Sequence, residues 1–189
     1  MKAFVLAKFI ILLLICSPLF AQKGFDVGLY AGNSDLLRKN DDSYYNYTNR
    51  EYGVFFGKSY SIFQRHAHRT FQIDWRAHFI KAKYTMPSEN FESEVTKGNV
   101  LFGIGHLWLQ PNWQYSIRFG IGPGMHSGYY KRLTAGYYFT EELSFTLKRR
   151  LAQEQYLILT TGGMHNSNGN IYHVNRGLDL LFMRLGYSW

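Results

Sequence analysis

The feature that most constrains this chain is the alternation of apolar and polar side chains over stretches of about ten residues. Phe71, Ile73, Trp75, Ala77 and Phe79 alternate with Gln72, Asp74, Arg76 and His78. Trp113, Tyr115, Ile117, Phe119 and Ile121 alternate with Gln114, Ser116, Arg118 and Gly120, and Leu143, Phe145 and Leu147 with Glu142, Ser144, Thr146 and Lys148. Successive side chains of a strand point to opposite faces, so each stretch makes a strand with one apolar and one polar face. A soluble β-sandwich alternates too, but it seldom needs so many aromatics, which make up 18% of this chain. The pattern predicts an all-β fold: an eight-stranded antiparallel transmembrane β-barrel of the outer membrane, apolar face outward and polar face inward.

Eight strands are predicted, over about residues 25–33, 50–60, 69–84, 97–109, 113–123, 136–149, 155–167 and 177–189. The connections after the first, third, fifth and seventh are mostly longer and polar: Ser34–Asn49, Thr85–Thr96, Gly124–Ala135 and Asn168–Arg176. Those after the fourth and sixth are tight, at Gln110–Asn112 and Ala152–Glu154. Long outer loops and short periplasmic turns are the habit of such barrels. The connection after the second strand, Ser61–His68, is longer than that habit predicts. The terminal Trp189 resembles the assembly signal of outer-membrane barrels. Neither an internal repeat nor a domain linker interrupts residues 22–189, which are expected to form one barrel domain.

Residues 1–21 read as a secretory signal peptide. Lys2 and Lys8 supply positive charge, Phe9–Ile15 is an unbroken apolar core, and Leu19-Phe20-Ala21 precedes the expected cut. The core is shorter than the ~20 residues of a spanning helix, and no run of 18 apolar residues follows. The single cysteine, Cys16, would be an acylation site in a lipoprotein, but bulky Ile15 stands where a small residue is expected. Cleavage after Ala21 removes 21 of 189 residues, leaving 168 without cysteine, so disulfide and thiolate chemistry are excluded. It also removes two lysines and no acids from a net charge of +8, leaving +6. A basic exported chain can meet lipid phosphates, nucleic acid or acidic polysaccharide.

The chemistry-bearing residues lie near the end of the chain, between His165 and Trp189. His165 and Ser167 are two apart, so on a strand they share a face and set an imidazole beside a hydroxyl. That pairing turns a weakly nucleophilic serine into a usable one. Asn168, Gly169 and Asn170 read as a turn. If the flanking strands form a hairpin, Asp179 returns beside His165, where a carboxylate orients an imidazole. Strand order puts this group at the outer end of strand seven. Parity puts Asp179 on the face of Leu181, Met183, Leu185, Tyr187 and Trp189, opposite Arg184. A carboxylate on a lipid-facing wall is costly, less so toward the interface. A lipid substrate in the outer leaflet accounts for it; an acid that lies above the membrane and only caps the turn is the other reading. Glu141, on the strand beside His165, is a rival acid.

The run His165-Asn166-Ser167-Asn168, then Asn175-Arg176-Gly177, then Asp179, resembles the signature of the outer-membrane lipid A 3-O-deacylases, the PagL-type family. The resemblance implies that Ser167 is the nucleophile, His165 the base and Asp179 the acid, and that the bond cut is the ester at position 3 of lipid A. Three positions depart from the family pattern. Asp179 stands where Glu is usual, Val174 where Pro is usual, and the turn glycine falls at Gly169 with Asn170 in its place. Main-chain N–H groups of Asn168, Gly169 and Asn170, or the Asn175 side chain, are candidate oxyanion donors. No metal or cofactor is required. The expected partner is lipid A or lipopolysaccharide in the outer membrane, not nucleic acid. Lys131, Arg132 and Arg176 are candidate phosphate contacts, with an ordinary solvated loop as the plain alternative.

Other clusters carry less. His66-Ala67-His68 has a spacing two metal ligands could use, but a turn with ordinary histidines is the simpler reading. Gly120, Gly122 and Gly124 read as inner-face glycines, not a phosphate loop. Tyr44, Tyr45 and Tyr47 read as a loop or interfacial girdle. Two other functions fit most of the chain. One is a non-catalytic small barrel: an adhesin, a structural protein or a narrow channel. The other is a soluble periplasmic lipid-binding barrel, which would turn its apolar face inward.

Overall fold

A computed structural model describes residues 24–35, 47–66, 68–86, 90–128, 136–168 and 177–189, with backbone alone over 63–66. Among these are eight strands: β1 (Phe25–Asn33), β2 (Thr48–His66), β3 (Arg69–Met86), β4 (Phe91–Leu109), β5 (Trp113–Ser127), β6 (Tyr137–Ala152), β7 (Gln155–Ser167) and β8 (Leu178–Ser188). They pair in chain order, all antiparallel, and β1 closes on β8 from Asp26–Ser188 to Asn33–Leu181. Closure leaves no free sheet edge along the paired length, which is what lets strands cross a bilayer. No described helix is long and apolar enough to do so. Residues 1–21, expected to be a signal peptide, lie outside the described ones.

The outer wall is apolar. Leu29, Phe79, Phe102, Ile104, Leu143 and Met183 are among the exposed large side chains on it. The inner face is polar across the half nearer the short turns. There Arg118 Nε donates to both carboxylate oxygens of Asp74, at 2.7 and 2.8 Å, and Arg118 Nη1 donates to Glu142 at 3.0 Å. Arg184 Nη1 reaches the same Glu142 oxygen at 3.1 Å, and Ser144 adds a bond at 2.9 Å. All are buried, so each charge must find its partner inside the lumen. Gly120 and Gly124 are inner-face positions; a Cβ at either would strike Arg118 or the Tyr138 ring. A soluble lipid carrier would need the opposite arrangement of faces.

Toward the other end the inner face is mixed: apolar clusters sit among buried polar groups that include Asn49, Glu51, Lys97, Asn99, Thr140 and Asn166. Down β8 the buried residues run Leu178, Leu180, Phe182 and only then Arg184. Tyr47, Ala82, Tyr84, Met86, Val95 and Leu178 form one buried cluster at this mouth. Tyr30, Ile80, Leu101, Met164, Leu180 and Phe182 form a second. These clusters share this end of the lumen with a polar set in which Asn49 Nδ2 donates to Glu51 at 2.6 Å and the Thr140 hydroxyl donates to Asn166 Oδ1 at 2.7 Å.

Several strands are longer than the alternation predicts, β2 and β4 most; β5 runs on to Ser127 and takes in the start of the expected Gly124–Ala135 loop. β4 begins at Phe91, not near 97, and pairs Met86 with Phe91, so the expected long Thr85–Thr96 loop is a tight link. Its outward residues there are Glu92, Glu94 and Thr96, with Lys83 bonded to Glu92 at 2.8 Å. This polar hairpin end lacks the apolar outward face that marks a lipid-facing strand. β2 runs on to His66, which pairs with Arg69, making the long Ser61–His68 connection a short turn. Register shifts between Ser61 and His66 break the alternation there.

Candidate active site

The site stands on the hairpin of β7 and β8. His165 and Asp179 are direct Cα partners across it, and parity turns both side chains outward, as the sequence predicts. His165 Nδ1 lies 2.6 Å from Asp179 Oδ1. A carboxylate only accepts, so the imidazole carries its proton on Nδ1 and offers Nε2 as the free base. Their side chains are 42% and 34% exposed, open to the lipid side of the wall without being fully solvated.

Ser167 is the last residue of β7 and shares the outward face of His165. Their Cα atoms stand about 6.6 Å apart along the strand. Among the described residues no hydrogen bond joins the two side chains. Catalytic hydrogen bonds often tighten only when substrate is bound. Asn168 follows and is 1% exposed, packed beneath the surface. Gly169, Asn170 and Asn175, and the basic residues Lys131, Arg132 and Arg176, lie outside the described residues.

Glu141 is the Cα partner of His165 on the other side, from β6. The imidazole therefore sits between two outward acids, and the hydrogen bond goes to Asp179. The wall below is apolar: Leu143 and Leu181 flank Gly163, all outward. Nothing lies within 4 Å of where a Cβ would stand on Gly163. Beside Leu181 the wall dips into a shallow depression lined by Ala31, Asn33, Arg50, Thr161, Leu181 and Met183. Arg50 bonds Asp35 at 2.9 Å and keeps most of its side chain exposed.

Two residues of this site were not singled out as site residues from sequence. Gly177 has φ +67°, and a Cβ there would lie 2.5 Å from His165 Cε1 and 3.1 Å from Nε2. Glycine thus serves both the left-handed backbone and the space for the ring. Its place in the Asn-x-Gly motif was the available signal. Tyr47, read as loop or girdle, bonds the main chain of Asp179 from inside the mouth, at 2.9 Å from its N–H. Nothing in the sequence links positions so far apart. Tyr44 and Tyr45 lie outside the described residues, as does Ala67 of the His66-Ala67-His68 run. Among the described residues no group of three or more His, Cys, Asp and Glu could hold a metal ion.

Comparison with known proteins bears on this geometry. A family model described as lipid A 3-O-deacylase (PagL) matches residues 39–188. The crystal structure of the outer membrane enzyme PagL aligns over 86% of this chain and 98% of that one, with 16% identity and a TM-score of 0.57. At that identity the likeness speaks for the fold alone. The transport unit of the autotransporter AIDA-I from Escherichia coli aligns over 89% of this chain and 91% of that one, at 10% identity, with a TM-score of 0.33 that supports no argument. No curated protein matches the sequence.

Proposed function

This chain belongs to the lipid A 3-O-deacylase (PagL) family, and on that premise we propose that it is an outer-membrane esterase removing the 3-O-linked acyl chain of lipid A through Ser167, His165 and Asp179. The observation that carries the reading is the 2.6 Å bond between His165 and Asp179 on the lipid-facing wall, with Ser167 next on the same face. A buried structural ion pair would point into the lumen, as those of Asp74 and Glu142 with Arg118 do. A non-catalytic barrel has no need of an oriented imidazole outside.

The chemistry is acyl transfer. His165 Nε2 takes the proton of Ser167 Oγ as that oxygen attacks the ester carbonyl carbon. Asp179 holds the ring and stabilises the imidazolium that forms. Main-chain N–H groups at 168–170 and the Asn175 side chain are the proposed donors to the developing oxyanion. The tetrahedral intermediate collapses, the sugar oxygen leaves with the proton from His165, and the acyl group stays on Ser167. Water, deprotonated by His165, then releases the fatty acid and restores the serine.

The placement suits a lipid in the outer leaflet. The dyad is at the end of β7 far from the β6–β7 turn, with apolar wall below it and the exposed Arg50 to one side. Lys131, Arg132 and Arg176 add positive charge for lipid A phosphates. Residues 1–21 direct export and the remaining chain inserts as the barrel. The test is mass spectrometry of lipid A from cells with and without the protein. Loss of one 3-hydroxy acyl chain only when the protein is present is the expected result. Identical lipid A in both would contradict it.

A further inference from the structure

The β1–β8 ladder stops at Asn33–Leu181, while the β7–β8 ladder continues to Asn166–Leu178. Among the described residues, 178–180 of β8 therefore have a strand neighbour on one side only. Main-chain polar groups along such an edge need other partners. At Asp179 one side chain meets both. The Asp179 N–H donates to the Tyr47 hydroxyl at 2.9 Å, and that hydroxyl donates to the Asp179 carbonyl at 3.3 Å. Tyr47 stands just before β2 and does at this level what the missing continuation of β1 would do.

The tyrosine is itself well anchored. It is 2% exposed, its ring centroid is 5.7 Å from that of Tyr84, and it belongs to the apolar cluster at the mouth. The carboxylate of Asp179 emerges on the outer wall from a main chain held on its two sides, by β7 and by this hydroxyl. Without the hydroxyl the end of β8 is paired on one side and free to swing, taking the acid away from a ring it must hold within hydrogen-bond distance.

We propose that Tyr47 is a positioning residue: its hydroxyl fixes the main chain of Asp179 so that the carboxylate stays on His165 Nδ1. The proposal rests on the Ser167–His165–Asp179 reading. Tyr47 approaches from the lumen and touches none of the reacting atoms, so its whole effect passes through the acid. It couples the packing of the barrel mouth to the chemistry on the outer wall.

Tyr47→Phe keeps the ring and removes only the hydroxyl. The experiment measures kcat and KM for release of 3-hydroxy fatty acid from purified lipid A in detergent. It compares the unmutated protein, Tyr47→Phe, Asp179→Asn and the double variant. Rates are taken per folded molecule, from the fast-migrating band of unheated gels. Tyr47→Phe is expected to lower kcat on the order of 10- to 100-fold, as for a misplaced catalytic group, with KM unchanged. In the Asp179→Asn background the same change should alter kcat by less than about twofold, because the group it positions is gone. A Tyr47→Phe protein with the unmutated kcat, beside a damaging Asp179→Asn, overturns the positioning role alone. So does an equal loss in both backgrounds, which would mark the hydroxyl as a support of the fold. An Asp179→Asn protein at the unmutated rate removes the triad reading and this proposal with it.

Discussion

His165 on β7 and Asp179 on β8 face each other as direct cross-strand partners, and their side chains meet 2.6 Å apart outside the barrel. A strand pair that brings an imidazole and a carboxylate together on a lipid-facing wall holds them in register by its ladder. The ladder thus sets which two residues face each other.

The first prediction follows from the two acids beside that ring. Asp179→Asn leaves an amide that can offer a donor to Nδ1 and favour the wrong tautomer. Deacylation should fall by on the order of 10³- to 10⁴-fold. Asp179→Glu, which restores the carboxylate, should keep much of the rate. Glu141→Gln should leave it nearly unchanged, because the bond goes to Asp179. Steady-state rates on purified lipid A check all three, and a damaging Glu141→Gln with a silent Asp179→Asn would reverse the assignment.

A second prediction concerns Gly177. Any side chain there meets the His165 ring at 2.5 Å and strains a backbone at φ +67°. Gly177→Ala should cost about 1–2 kcal/mol of stability from the left-handed backbone. It should also lower kcat on the order of 10- to 100-fold by displacing the ring. The discriminating measurement is kcat per folded molecule. A variant that is destabilised yet turns over normally would show that the ring has room to yield.

Much of this was legible in the sequence, and the parts that were not share a cause. The lipid-facing strands announced themselves because one face must be apolar, so β3, β5 and β6 could be read from alternation alone. The outer ends of β3 and β4 could not, since beyond the lipid Glu92 and Glu94 are as acceptable outward as leucine. β8 was harder, because Leu180, Leu181, Phe182 and Met183 are apolar on both faces; Arg184, buried in the lumen, still set the parity that turned Asp179 outward. The partnership of His165 and Asp179 followed from a hairpin and a count of residues. The contact from Tyr47 did not, because it depends on where β1 stops relative to β8. That offset is set by closing the barrel and leaves no local trace.

A third prediction separates the lumen from the chemistry. Glu142 receives bonds from Arg118, Arg184 and Ser144. Glu142→Ala would leave two buried guanidinium groups without that partner, at a cost of about 3–5 kcal/mol. The temperature at which the fast-migrating band converts to the unfolded one should drop. Activity per folded molecule should stay close to the unmutated value. Unchanged thermal conversion would mean that water or other acids replace Glu142.

The most direct measurement is the release of 3-hydroxy fatty acid from purified lipid A by the unmutated protein and by Ser167→Ala, both folded. Ser167 ends a strand at the surface, so loss of its hydroxyl should change stability by no more than about 0.5 kcal/mol, and the variant should show the same gel shift on heating. The account predicts that the unmutated protein releases the chain and that Ser167→Ala loses several orders of magnitude, because the members of a triad act as a unit. A folded Ser167→Ala barrel that releases the acid at the unmutated rate would contradict it.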